Sequence, residues 1–186
     1  MSESLRSLAT GALKDLQGVF VEMPDDALDG LIEEIVKARR IVVFGLGREG
    51  LQMRGFAMRL FHMGRDAHVV ADMTTPPVGP GDLLIVTAGQ GWLDSAETLM
   101  AIASKSGAKT AIVTAQPEGR GAKKADVRLV IPAQTLANDL GGASVLPMGS
   151  LFEISEAIVF ELIILMLRDR IGETAESMRA RHTNLE

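Results

Sequence analysis

The chain has 186 residues, of which 47% are hydrophobic and only 4% aromatic, with no cysteine, no tyrosine and a single tryptophan. A domain of this size buries about 70% of the surface its unfolded chain exposes and needs no disulfide or metal staple, while the missing cysteine excludes a disulfide framework, a thiolate metal site and a cysteine nucleophile. With 19 basic residues against 24 acidic ones the formal charge is −5, a balance that does not attract nucleic acid.

The chain opens on helical apolar spacing from about Glu3 to Met23 (Leu5, Leu8, Leu13, Leu16, Val19, Phe20) and lacks the apolar core of a secretory signal, so cytoplasmic residence is the expectation. Pro24-Asp25-Asp26 supplies a stop and a new N-cap for a second helix over Ala27 to Lys37. Short runs apolar on both faces then recur at 41–44, 67–71, 83–87, 110–114 and 127–131. Helical segments at 49–63, 93–106 and, briefly, 119–125 separate them, and a long helix at 150–168 and a short polar one close the chain. Such alternation marks buried parallel strands joined by crossover helices. The expected architecture is one α/β domain over 1–186, with a helical hairpin at 1–38 and the α/β core with its C-terminal helices at 39–186. Within the long helix, Ile154 to Leu167 is too short to span a bilayer and carries Glu156 and Glu161, so no membrane partner is expected. Its face is apolar nearly all round, and the mean hydropathy of +0.20 is high for a soluble monomer, so contacts between copies should cover part of the surface.

In parallel α/β sheets the ligand site lies beyond the carboxyl ends of the strands. After the first run comes Gly45-Leu46-Gly47-Arg48-Glu49-Gly50, a formal GxGxxG, and Asp72 after the second run could act as the ribose-binding acid of a dinucleotide site. Two features oppose a nicotinamide enzyme: no residues remain for a substrate domain, and Glu49 brings negative charge to a pyrophosphate. After the third run a second glycine turn reads Thr87-Ala88-Gly89-Gln90-Gly91-Trp92-Leu93-Asp94-Ser95. Two such turns opening helices onto one crevice suit a compact anionic or polar ligand. Either turn taken alone is equally well read as a tight strand-to-helix connection.

The succession GLGREG, FAMRLFHMG, ADMTTPPVGPGDLLIV, the second glycine turn, PMGSLFE and terminal MRARHTNLE resembles the 6-phospho-3-hexuloisomerase family of sugar isomerase (SIS) domains, over nearly the whole chain and in the same order. The resemblance implies a three-layer, flavodoxin-like fold, with a five-stranded parallel sheet and an N-terminal helical extension, assembled as a tetramer. It also implies no cofactor, and interconversion of a 3-hexulose 6-phosphate with fructose 6-phosphate through an enediol; no metal ligands are expected. Glu153 corresponds to the family's candidate base, a role that suits a carboxylate partly shielded from water; its other reading is a first-turn glutamate favoured by the helix dipole. His182 corresponds to a histidine placed near a neighbouring subunit's site, where it assists ring opening or moves protons between oxygens. Gly47, Arg48, Thr87, Gly89, Gln90, Gly91, Trp92 and Ser95 are the candidate substrate contacts of the two turns. Arg59, able to counter an anion or form a structural ion pair, and Thr74, whose hydroxyl suits sugar oxygens, complete the set. His62 and His68 are expected to be structural.

The chain departs from the family pattern at the second turn, which typically reads SGSGET and holds a phosphate. Here Ala88, Gln90 and Leu93 replace three hydroxyl residues, Trp92 replaces a glutamate, and Glu49 stands where the first turn usually has serine. A hydrogen bond to a charged group contributes about 1.5–3 kcal/mol, so three losses weaken phosphate affinity by orders of magnitude unless replaced. Trp92 is either a packed turn residue or a platform for an apolar sugar face. The expectation is an isomerase of altered substrate recognition; the competing reading is a sugar-binding module that senses without converting.

Overall fold

Five apolar runs become five strands because side chains on both faces of each can be buried by helices. They are β1 (Arg40–Phe44), β2 (Ala67–Val69), β3 (Asp82–Thr87), β4 (Lys109–Thr114) and β5 (Val127–Val130), paired in parallel in the order β2-β1-β3-β4-β5. The computed structural model describes residues 4–139 and 144–185, so Glu3, where the first helix was expected to start, and Glu186 of the closing motif lie outside the described residues. The central register sets Phe44 of β1 beside Val86 of β3, and Thr87 beside Val113 of β4.

Alternation along the strands divides the core. Ile41, Val43, Leu83, Ile85, Ala111, Val113 and Leu129 point to one face, where α2 (Asp29–Lys37), α3 (Gly47–His62) and α5 (Ser150–Ile171) cover them. Val42, Leu84, Val86 and Ile112 point to the other, under α4 (Asp94–Lys105). The sheet is thus covered on both faces, which makes three layers. The first helix, α1 (Leu5–Glu22), is capped by the Ser4 hydroxyl and packs on α5, while α2 packs on β5 and α5. A short α6 (Ala175–Ala180), capped by Thr174, follows α5.

Three local expectations are corrected. Asp25 and Asp26 lie in a turn and α2 begins at Asp29 behind Leu28, with no side-chain cap. The second strand stops at Val69 because the backbone turns at Ala71, whose φ is 74°. The helix expected at 119–125 contracts to one 3-10 turn at Ala122–Lys124. Gly119 presses so closely on the second glycine turn that a Cβ there would stand 2.4 Å from the Gly91 carbonyl oxygen. The Gly121 amide donates to that same oxygen at 3.1 Å. This backbone-to-backbone clip leaves no room for a helix.

Candidate active site

The chain leaves β1 into a helix on one face of the sheet and leaves β3 into a helix on the other, which opens a crevice between their carboxyl ends. A cavity of about 420 Å³ fills it, walled by Leu46 to Glu49, Thr87, Ala88, Gln90, Trp92 and Leu93 from the two turns. Thr135, Leu136, Met148, Gly149, Phe152 and Glu153 close the far side. The first turn needs its last glycine for contact: a Cβ on Gly50 would sit 2.5 Å from the Gly45 carbonyl oxygen.

Glu153 stands in the first turn of α5, where the helix dipole favours an anion. The turn before it is held open by Met148, a non-glycine residue at φ 55°, whose amide donates to Asp139 and whose carbonyl accepts from Arg48 Nη2 at 2.7 Å. Arg48 spends its other nitrogens there too, donating Nη1 to Ser150 Oγ at 2.7 Å and pairing Nε with Glu153 Oε2 at 2.8 Å. Burial raises the Glu153 pKa, Arg48 opposes the rise and the nearby Glu49 adds to it. The result is a shielded carboxylate kept ionised by a cation yet disposed to accept a proton.

A second pair of carboxylates meets behind it. Thr87 Oγ1 lies 2.7 Å from Glu49 Oε2 and 2.5 Å from Glu156 Oε1, and the Gly89 amide donates to Glu49 Oε2 at 3.0 Å. One hydroxyl has one proton, so it cannot donate to both acids. Glu156 is fully buried, its Oε2 has no hydrogen-bond partner, and burial pushes its pKa well above the carboxylate range. Glu156 therefore carries the proton and donates to Thr87, which donates to an ionised Glu49 stabilised further by the Gly89 amide.

A model of the SIS domain family matches residues 34–150. The 3-hexulose-6-phosphate isomerase of Bacillus subtilis is 34% identical over 175 residues, 94% of this chain and 95% of its own. That of Methylomonas aminofaciens is 38% identical over 185 residues, 97% and 98% of the two chains. This chain belongs to the 6-phospho-3-hexuloisomerase family of SIS domain proteins. The fold agrees with a Methanococcus jannaschii family structure, for which a 3-hexulose-6-phosphate isomerase function has been inferred, at TM-score 0.80 and 30% identity over 98% of both chains.

Against the family pattern, Gly47, Arg48, Thr87, Gln90, Trp92 and Glu153 lie on the cavity wall, and Gly89 and Gly91 form the backbone of its second turn. The Gln90 amide nitrogen donates back to the Trp92 carbonyl at 3.2 Å, so that donor closes the turn on itself. Trp92 borders the cavity with the Arg120 guanidinium 5.8 Å from its ring centre, while Arg120 also pairs with Asp94 and Glu97. Four expected residues lie off the wall. Ser95 sits half-buried in the first turn of α4. Thr74 borders a separate cavity of about 320 Å³ with Arg54, His68 and Asp72. Arg59 makes two bonds to Glu161, at 2.8 and 3.0 Å. His182 stacks on His62 of its own chain, ring centres 5.3 Å apart. Glu156, Thr135, Leu136, Met148 and Phe152 were not singled out as site residues from sequence. For Glu156 a signal exists: a carboxylate inside an apolar helix, three residues after Glu153 and hence on the same face.

Proposed function

We propose that this chain is a ketose isomerase that moves a sugar carbonyl between neighbouring carbons through an enediol. The observation that carries the reading is Glu153: a shielded carboxylate on the wall of the crevice, paired with Arg48 and raised by burial. Glu153 takes the proton from C2 of a 3-ketose, the electrons of that C–H bond form the C2–C3 double bond of the enediol, and the former carbonyl oxygen takes up a proton. Return of a proton from Glu153 to C3, with loss of the C2 hydroxyl proton, leaves a 2-ketose; no oxidant is consumed. Arg48, at the same carboxylate, helps hold the developing oxyanion.

The curated relatives act, by name, on 3-hexulose 6-phosphate, and that carbon skeleton is the starting expectation for the substrate. We read the protein as a cytoplasmic homotetramer, in which His182 of one copy reaches the cavity of another and moves protons between the sugar oxygens. A sensor without turnover would have no use for a base at Glu153, which favours catalysis over the binding-module reading.

Incubation of the wild type with candidate ketoses in deuterated water tests this. Deuterium should enter at C2 or C3, and Glu153→Gln should slow incorporation by about 100-fold or more, the usual contribution of a general base. Exchange that survives the substitution would remove Glu153 from the mechanism, and its absence from the wild type would remove the isomerase.

A further inference from the structure

The end of the cavity formed by the 87–93 turn has the makings of an anion cradle: the Gly89 amide, a glycine at φ 90° and the start of α4. Its anion is already present. The Glu49 carboxylate takes the Gly89 amide and the Thr87 hydroxyl, and the protonated Glu156 behind Thr87 fixes the direction of that hydroxyl. Arg48 is the one Lys or Arg among the described wall residues, and Nε, Nη1 and Nη2 are all engaged by Glu153, Ser150 and the Met148 carbonyl. Two carboxylates against one arginine give the wall a net negative charge. A phosphate dianion entering here meets a fixed negative charge and a single cation whose charge Glu153 already balances.

We propose that Glu49 is the specificity-determining residue of this site: it fills the anion cradle and selects a sugar whose end at the 87–93 turn is an uncharged hydroxyl rather than a phosphate. The remaining lone pairs of Glu49 accept from that hydroxyl. Trp92 and Leu93 line the same end of the cavity, where they suit apolar C–H faces. The substrate class is then an unphosphorylated ketose; this rests on the isomerase reading of the same cavity but is separately testable.

The single tryptophan borders the cavity, so its fluorescence reports occupancy without requiring turnover. Titration with fructose and with fructose 6-phosphate should show the free sugar binding at least tenfold more tightly to the wild type. Equal affinity, tighter phosphate binding or no response to fructose overturns the assignment, and none of these needs a variant. Glu49→Gln keeps an acceptor for Thr87 and the Gly89 amide but removes the charge; it should shift the ratio at least tenfold toward the phosphate ester. An unchanged ratio in a variant that melts as the wild type does also overturns it. Deuterium exchange separates the two readings: preference for free sugar without carbon-bound exchange sinks the isomerase alone, and exchange confined to phosphate esters sinks this assignment alone.

Discussion

Thr87 has one proton to give and two carboxylates within reach, and that shortage makes the protonation of Glu156 a structural requirement. Its pKa is raised in the folded protein, so its contribution to stability is fully present below the unfolded value near 4.5 and is lost as pH rises through the native one. In that window the folded state holds one more proton than the unfolded chain, and stability falls by about 1.4 kcal/mol per pH unit. Glu156→Gln is always neutral and can still donate to Thr87. Urea unfolding at a series of pH values should show the wild type losing stability relative to this variant by that slope. Depressed carboxylates such as Asp66, Glu97 and Asp126 contribute with the opposite sign at lower pH, but they are common to both proteins and cancel in the difference. Parallel stability curves would mean that Glu156 is ionised in the native state and that the Thr87 hydrogen bonds run the other way.

Among the elements, the second glycine turn depends on a neighbour distant in sequence. Gly91 lies at φ 90° and has the Gly119 backbone against it, so the turn that shapes the cavity is clipped by the segment after β4. Gly119→Ala should cost about 1–3 kcal/mol, the range for overpacking, and should weaken ligand binding although residue 119 is off the cavity wall. Denaturant unfolding and a fluorescence titration of the variant check both parts; full affinity with lost stability would show that the clip does not shape the site. The same contact explains a limit of sequence reading. Strands were legible because runs apolar on both faces have few other uses, and the two turns because glycine punctuates them. The 119–125 segment reads as a helix until Gly91 is brought against it by folding. Thr135, Leu136 and Met148 have no periodicity to announce them, and they reach the cavity only because the Met148 turn folds back to start α5. Glu49 was legible as an anomaly, but its inward direction is set by Thr87 and Gly89, 38 and 40 residues away.

At the scale of the whole molecule, the apolar excess of the sequence reappears as a surface. The inner faces of α3 and α5 meet with Phe56 stacked on Phe160, while their outer faces leave Leu51, Met58, Phe61, Ile158, Leu162 and Leu165 exposed. On α5 the exposed positions 154, 158, 162 and 166 recur every fourth residue, a continuous stripe along one side of the helix. Among the described residues no helix is long and apolar enough to cross a membrane, and a stripe of this kind is covered efficiently by a second copy of itself. His182 lies at the end of α3, stacked on His62 and off its own cavity wall, so a role in catalysis requires delivery to another copy's crevice. Shared sites make a distinctive prediction. Glu153→Gln and His182→Ala should each be inactive alone. When the two are unfolded together and refolded in equal amounts, pairs of unlike copies assemble one site with both defects and one with neither. Random pairing then restores about a quarter of the wild-type exchange rate. Recovery to that level, absent when the two proteins are mixed without refolding, places His182 in a neighbour's site; no recovery on refolding removes His182 from any shared site.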